Sequence, residues 1–207
     1  MENKKSTLIK DAIILFVITL IAGLGLGFVN EVTKTPIADA NAKAKQEAYQ
    51  SVFADAYEFI EDEAIAEKVE NSADFLSDND LSGAEITEVL LANDESGTAI
   101  GYVISFTAKE GYGGDITLSM GMTNEGTITG LEVLSASETA GLGAKCTESA
   151  FKDQFQGINA DSIEYTKDGK SADNQIDAIS GATITTKAVT KGVNAAIAFL
   201  KQDVMQG

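Results

Sequence analysis

The chain has 207 residues with no histidine, no arginine and a single cysteine, Cys146. Without histidine it lacks the commonest metal ligand and the side chain that titrates near neutral pH, and Ser/His/Asp or Cys/His hydrolysis is excluded. One thiol closes no intrachain disulfide and builds no thiolate zinc cage, so Cys146 reads as a small buried hydrophobe. Positive charge is scarce: fifteen lysines against thirty-two acidic residues leave a net charge of −17, a surface that repels nucleic-acid backbones. Acidic runs such as Glu61, Asp62 and Glu63 read as solvated surface. With this inventory, any redox or group-transfer work belongs to a cofactor rather than to the side chains alone.

What the chain does have begins with residues 12–29, eighteen residues without a charge. At about 1.5 Å per residue they cross a hydrocarbon layer with little slack, and the reading is a membrane helix. Lys4, Lys5 and Lys10 precede it and an acid-rich segment follows, so the positive-inside rule puts residues 1–11 in the cytoplasm and the rest outside. The rival is a cleaved signal peptide, but the apolar run exceeds an ordinary h-region of roughly 7–15 residues. Gly23, Gly25 and Gly27 would allow close contact with a second membrane helix. Residues 37–60, after Pro36, place Ile37, Ala40, Ala44, Ala48, Val52 and Phe53 roughly on one face, an amphipathic helix within a connector at 30–60. Residues 61–83 read as a loop or short helical excursion.

From residue 86 the period changes to two. Segments 86–92, 98–109, 115–123 and 127–135 read as an antiparallel meander separated by glycine-containing turns, with a further strand near 162–166. A closing helix carries Val189, Val193, Ala196, Ile197 and Leu200 and runs to Val204. The expected fold is α+β, an antiparallel sheet packed by helices, with the extracytoplasmic domain at 61–207.

Chemistry concentrates in residues 177–186, Asp-Ala-Ile-Ser-Gly-Ala-Thr-Ile-Thr-Thr. Ser180, Gly181 and Ala182 carry little bulk, so backbone and ligand can approach, and Gly181 can adopt a positive φ. Thr183 offers a hydroxyl, and Thr185 or Thr186 is the expected N-cap of the closing helix, whose free N–H groups and positive dipole end suit a phosphate. A small-residue turn is also how ordinary helices begin. A second cluster, Ser137-Glu138-Thr139-Ala140-Gly141-Leu142-Gly143-Ala144-Lys145, would let backbone wrap a flat ligand, with Leu142 on an apolar face and Lys145 near an anionic edge. The alternative is a strand-to-helix turn before a helix at 147–155, with Leu142 in the core.

Taken together, Gly111-Tyr112-Gly113-Gly114, Glu138-Thr139 with Gly141-Leu142-Gly143, and Asp177 followed by Ser180-Gly181-Ala182-Thr183 resemble the FMN-binding domain of bacterial respiratory ion pumps. The resemblance is to the G subunits of Rnf complexes, with the C subunits of sodium-translocating NADH:quinone reductases as relatives. It covers about residues 8–200 and rests on the Ser-Gly-Ala-Thr block. It implies that Thr183 is joined to FMN by a phosphoester made by a flavin transferase from FAD. It also implies flavin contacts from Glu138, Thr139, Leu142 and Gly143, with Lys145 a further candidate. Ala140 and Ser137 depart from the family, which often has Pro and His there.

The resemblance implies that the chain is an electron-carrying flavoprotein subunit, single-pass in the cell membrane. Its complex would couple ferredoxin oxidation and NAD reduction to ion transport through partner subunits, since one helix forms no channel. With no strand-linked GxGxxG the chain would not itself bind NAD. The alternatives are a free-standing extracytoplasmic flavoprotein and a membrane-tethered module that binds a phosphorylated ligand without redox function.

Overall fold

A computed structural model describes residues 2–206, with side chains from residue 10 onward except at 35, 37–39 and 41. The side chains of Lys4, Lys5 and Ile37, invoked above, lie outside those described. The chain divides into two compact units, Met1–Ala44 and Lys45–Gly207.

The first unit is helical and belongs to α1 (Glu2–Val52). Within it Lys10–Lys34, 25 residues at a mean hydropathy of 2.7, is long and apolar enough to cross a membrane. Ile13, Phe16, Leu24 and Phe28 are exposed along it, apolar surface that a bilayer would cover and water would not tolerate cheaply. The Thr19 and Thr33 hydroxyls donate back to the carbonyls of Leu15 and Val29, at 3.0 and 2.9 Å, so neither polar group is left open to hydrocarbon. Pro36 lies inside α1 rather than opening a new helix. The helix also stops at Val52 instead of reaching residue 60. The Tyr57 N–H donates to the Asn93 carbonyl at 2.7 Å, and β1 (Glu58–Ile60) then pairs with the first meander strand, an edge strand too short to show a period.

In the second unit the meander is β2 (Ala84–Asn93), β3 (Ala99–Ala108), β4 (Ile116–Thr123) and β5 (Ile128–Ala136). The five strands lie antiparallel in chain order. Residues 61–83 form α2 (Glu63–Glu70) and α3 (Ser72–Asp78), the first capped by Asp62, whose carboxylate accepts from the Ile65 N–H at 3.0 Å. After β5 come a 3-10 turn, Gly143–Thr147, the short α4 (Ser149–Lys152) and a second 3-10 turn, Asp153–Phe155. The helix expected at 147–155 is thus broken into short pieces. β6 (Glu164–Thr166) pairs in parallel with β7 (Gln175–Asp177), a three-residue strand without a sequence signal of its own. α5 (Thr183–Ala198) closes the fold and continues as a π-helical turn, Phe199–Val204. The domain is α+β.

The period of two sorts the sheet into two buried faces. Ile104, Phe106, Ile116, Leu118, Met120 and Met122 share a core with Val189, Val193, Ile197 and Leu200 of α5. A Cβ on Gly192 would lie 2.8 Å from the Ala108 Cβ and 3.0 Å from the Phe106 ring, so α5 rides close over β3. The other face receives the last turns of α1, where Tyr49, Val52 and Phe53 pack on Ala92 and Val103. Three strand glycines, Gly101, Gly121 and Gly130, make room for Val52 and Phe53 there. Thr129 donates its hydroxyl to the Val52 carbonyl, and Tyr49 bonds to Glu88 and, at 3.2 Å, to Ser105. Burial first, then the Glu88 bond, push the Tyr49 phenol above its ordinary pKa, and it stays a neutral hydrogen-bonding group.

Candidate functional site

β7 delivers the chain into the turn at 178–182. Gly181 takes φ +77°, a conformation that suits glycine, and the Ala182 N–H returns to the Ile179 carbonyl at 3.0 Å. The helix begins one turn-segment earlier than expected: Ala182 is at the N-cap and Thr183 is the first helical residue. Neither Thr185 nor Thr186 caps, because both are buried and bonded within the fold. Thr186 Oγ1 accepts from the Ile179 N–H at 3.0 Å and donates to the Ala182 carbonyl at 3.0 Å, tying the turn to the helix. Alanine has no capping side chain, so first-turn N–H groups of α5 are left for a ligand.

Beside this helix start lies a cleft of about 320 Å³, lined by Tyr112, Glu138, Thr139, Leu142, Gly143, Gly181, Ala182, Thr183, Ile184 and Thr185. Three loops meet there: the turn after β3, the loop after β5 and the turn into α5. The Glu138 carboxylate accepts from the Gly113 N–H at 3.0 Å and from the Thr185 hydroxyl at 2.8 Å. Leu142 leans over Gly181, where a Cβ would sit 3.1 Å from Leu142 Cδ2. Among the described residues, five large apolar side chains outside the long N-terminal helix are exposed, and three line this cleft: Tyr112 at 69%, Leu142 at 45% and Ile184 at 52%. An apolar wall open to solvent beside uncapped helical N–H groups is what a flat ring with a phosphate tail requires. FMN fits this residue set.

The sequence-expected residues separate accordingly. Thr183, Gly181, Ala182, Thr185, Glu138, Thr139, Leu142 and Gly143 are brought together around the cleft. Ser180 and Lys145 are exposed and outside its lining, and Thr186 is buried behind it. Leu142 is at the rim, not in the core. Tyr112 and Ile184 were not singled out as ligand residues. The first signal was available, an aromatic flanked by glycines in a tight turn, whereas Ile184 reads as an ordinary helix residue until the helix start is placed.

Cys146, one turn beyond the loop, is fully buried. Burial, then the Glu138 charge, pushes its thiol up to about 11. The thiolate is the reactive form, so the native protein should resist alkylation by iodoacetamide at pH 8 and be alkylated promptly once denatured; prompt native labelling would contradict the burial.

The family described as FMN-binding domain matches residues 111–198, which hold all three loops of the cleft. The G subunit of the Na(+)-translocating ferredoxin:NAD(+) oxidoreductase complex of Acetobacterium woodii is 36% identical over 191 residues, 91% of this chain and 89% of that one. The chain is also 36% identical over 143 residues to the G subunit of an ion-translocating oxidoreductase complex of Methanosarcina acetivorans, covering 67% of this chain and 73% of the relative. Among solved structures it is similar to the C subunit of the Na(+)-translocating NADH-quinone reductase of Parabacteroides distasonis, 28% identical, with 55% of this chain and 60% of the other covered at a TM-score of 0.46. With nearly its whole length aligned to such a relative and an FMN-binding domain over its cleft, the chain belongs to the G-subunit family of Rnf-type ion-translocating oxidoreductase complexes.

Proposed function

We propose that this chain is the membrane-anchored subunit of an ion-translocating ferredoxin:NAD oxidoreductase that carries FMN as an ester on Thr183 and passes electrons between neighbouring subunits. The observation that carries this reading is the position of Thr183, the first residue of an uncapped helix at the edge of an exposed apolar cleft. Attachment would come from a flavin transferase: the Thr183 oxygen replaces the adenylate leaving group at the FMN phosphorus of FAD, and the hydroxyl proton is lost. Once attached, the phosphate stands beside the first N–H groups of α5, whose dipole favours the negative charge. A chain without arginine lacks the bidentate phosphate clamp, and an ester makes one unnecessary. Tyr112, Leu142 and Ile184 would cover the ring and exclude water from its faces, while Thr139 at the rim offers a hydroxyl to its polar edge. The bound group supplies electron transfer in single or paired steps, which the side chains here do not.

In the same reading residues 12–29 span the cell membrane, residues 1–11 are cytoplasmic, and 30–60 connect to an extracytoplasmic domain at 61–207. Extraction of native membranes in mild detergent tests the complex membership and the flavin attachment. The chain should purify with ferredoxin-oxidising partners and keep its yellow colour after denaturation. A flavin-bearing chain that arrives alone would instead be a free-standing flavoprotein, and a colourless one a module for another phosphorylated ligand; either result overturns the proposal.

A further inference from the structure

We propose that Glu138 is a positioning residue that sets the frame of the FMN cleft by bracing the Gly111–Gly114 turn against the first turn of α5, and that its carboxylate acts through protein donors rather than on the flavin. This rests on the FMN reading above for its consequence, but not for its geometry. The three loops that form the cleft come from residues 111–114, 137–143 and 181–185. Among the described residues, the hydrogen bonds that cross between them both end on Glu138: from the Gly113 N–H to Oε1 at 3.0 Å and from the Thr185 hydroxyl to Oε2 at 2.8 Å.

Steric evidence points the same way. A Cβ on Gly111 would lie 2.8 Å from Glu138 Oε1, and one on Gly143 would meet Oε2 and stand 2.5 Å from the Thr185 hydroxyl oxygen. Gly143 thus holds open the space the carboxylate fills, Gly111, closest to the Gly114 carbonyl of its own turn, borders that space, and each oxygen has a protein donor. Thr185, buried in the wall of the cleft, donates its hydroxyl to Glu138 and is not free to take the phosphate. Removing the carboxylate would leave the Gly113 N–H and the Thr185 hydroxyl without their acceptor and unlink the walls that carry Tyr112 and Ile184 from one another.

The test is hydrogen exchange on the full chain in detergent, made without a flavin transferase, with Glu138→Ala, Glu138→Gln and Thr185→Val. In Glu138→Ala the Gly113 amide should exchange roughly tenfold faster, while amides in the middle of α5 keep their wild-type rates. Glu138→Gln should restore most of the protection, since its amide oxygen can still accept from Gly113, and Thr185→Val should be intermediate. With attached flavin, the visible circular dichroism of Glu138→Ala should depart from wild type and that of Glu138→Gln should not. Unchanged exchange at Gly113 in Glu138→Ala overturns the proposal. So does a Glu138→Gln protein that keeps wild-type exchange yet shows the altered flavin spectrum of Glu138→Ala, because the charge would then act on the ring directly. If Glu138→Ala does not fold, Glu138→Gln and Thr185→Val carry the same comparison. A wild-type chain that never takes flavin sinks the function proposed above and leaves the exchange result standing.

Discussion

Coexpressed with a flavin transferase, Thr183→Ala should yield a folded protein whose denatured mass is that of the bare chain and whose gel band shows no flavin fluorescence, against full attachment in the wild type. The loss should be essentially complete, because the neighbouring hydroxyls are ill placed to substitute. Thr185 donates to Glu138, Thr186 bridges Ile179 and Ala182 in the buried interior, and Ser180 lies outside the cleft. Stability should change by less than about 1 kcal/mol, since alanine is a good helix former and Thr183 makes no capping bond that the helix would lose. Thr183→Ser keeps a hydroxyl at the same helical position and should keep an adduct. An adduct that survives in Thr183→Ala would place the tether elsewhere and undo the attachment proposal.

Gly121→Ala should be a costly single methyl, lowering stability by about 2–3 kcal/mol without changing the denaturant slope. Gly121 sits in β4 between Val103 of β3 and Gly130 of β5, so its backbone is held on both sides. A Cβ there would run into the Val52 carbonyl and the Thr129 hydroxyl that bonds to it. Backbone on a helix end cannot step aside as a flexible side chain can, so the strain spreads to the seat of Val52 and Phe53. Gly83→Ala serves as the comparison: its nearest neighbour is the flexible Lys191 stem at 3.5 Å, and the change should be neutral or slightly stabilising, within about 0.5 kcal/mol. Urea melts of the two variants against wild type check both. Equal stability for Gly121→Ala would mean that α1 does not seat on the sheet as described.

Legibility from sequence followed the length and regularity of each element. The four meander strands were readable within two residues because their faces are buried with a period of two and their turns carry glycine or asparagine. β1 and β7, three residues each, are strands only because a partner lies beside them, and no local pattern announces that. Pro36 suggested a break, because an interior proline removes a helix hydrogen bond and crowds the preceding turn, yet the backbone continues as helix through it. The start of α5 was misplaced by three to four residues, the cap lying at Ala182 rather than Thr185 or Thr186. Threonine is a good cap in isolation, but here the hydroxyls of Thr185 and Thr186 serve Glu138 and the preceding turn.

By itself the sequence determined the chemistry available: no imidazole, no guanidinium, one thiol, an uncharged stretch long enough for a bilayer, and a threonine after three small residues. These are matters of composition and short-range spacing, which the chain carries wherever it goes. Only the tertiary structure decided that Tyr112, Leu142 and Ile184 stand together in the open, that Glu138 spends its carboxylate on Gly113 and Thr185, and that Thr183 begins its helix. Those relations join segments as much as seventy-two positions apart, from Tyr112 to Ile184, and are settled when the meander and α5 bury their apolar faces against each other.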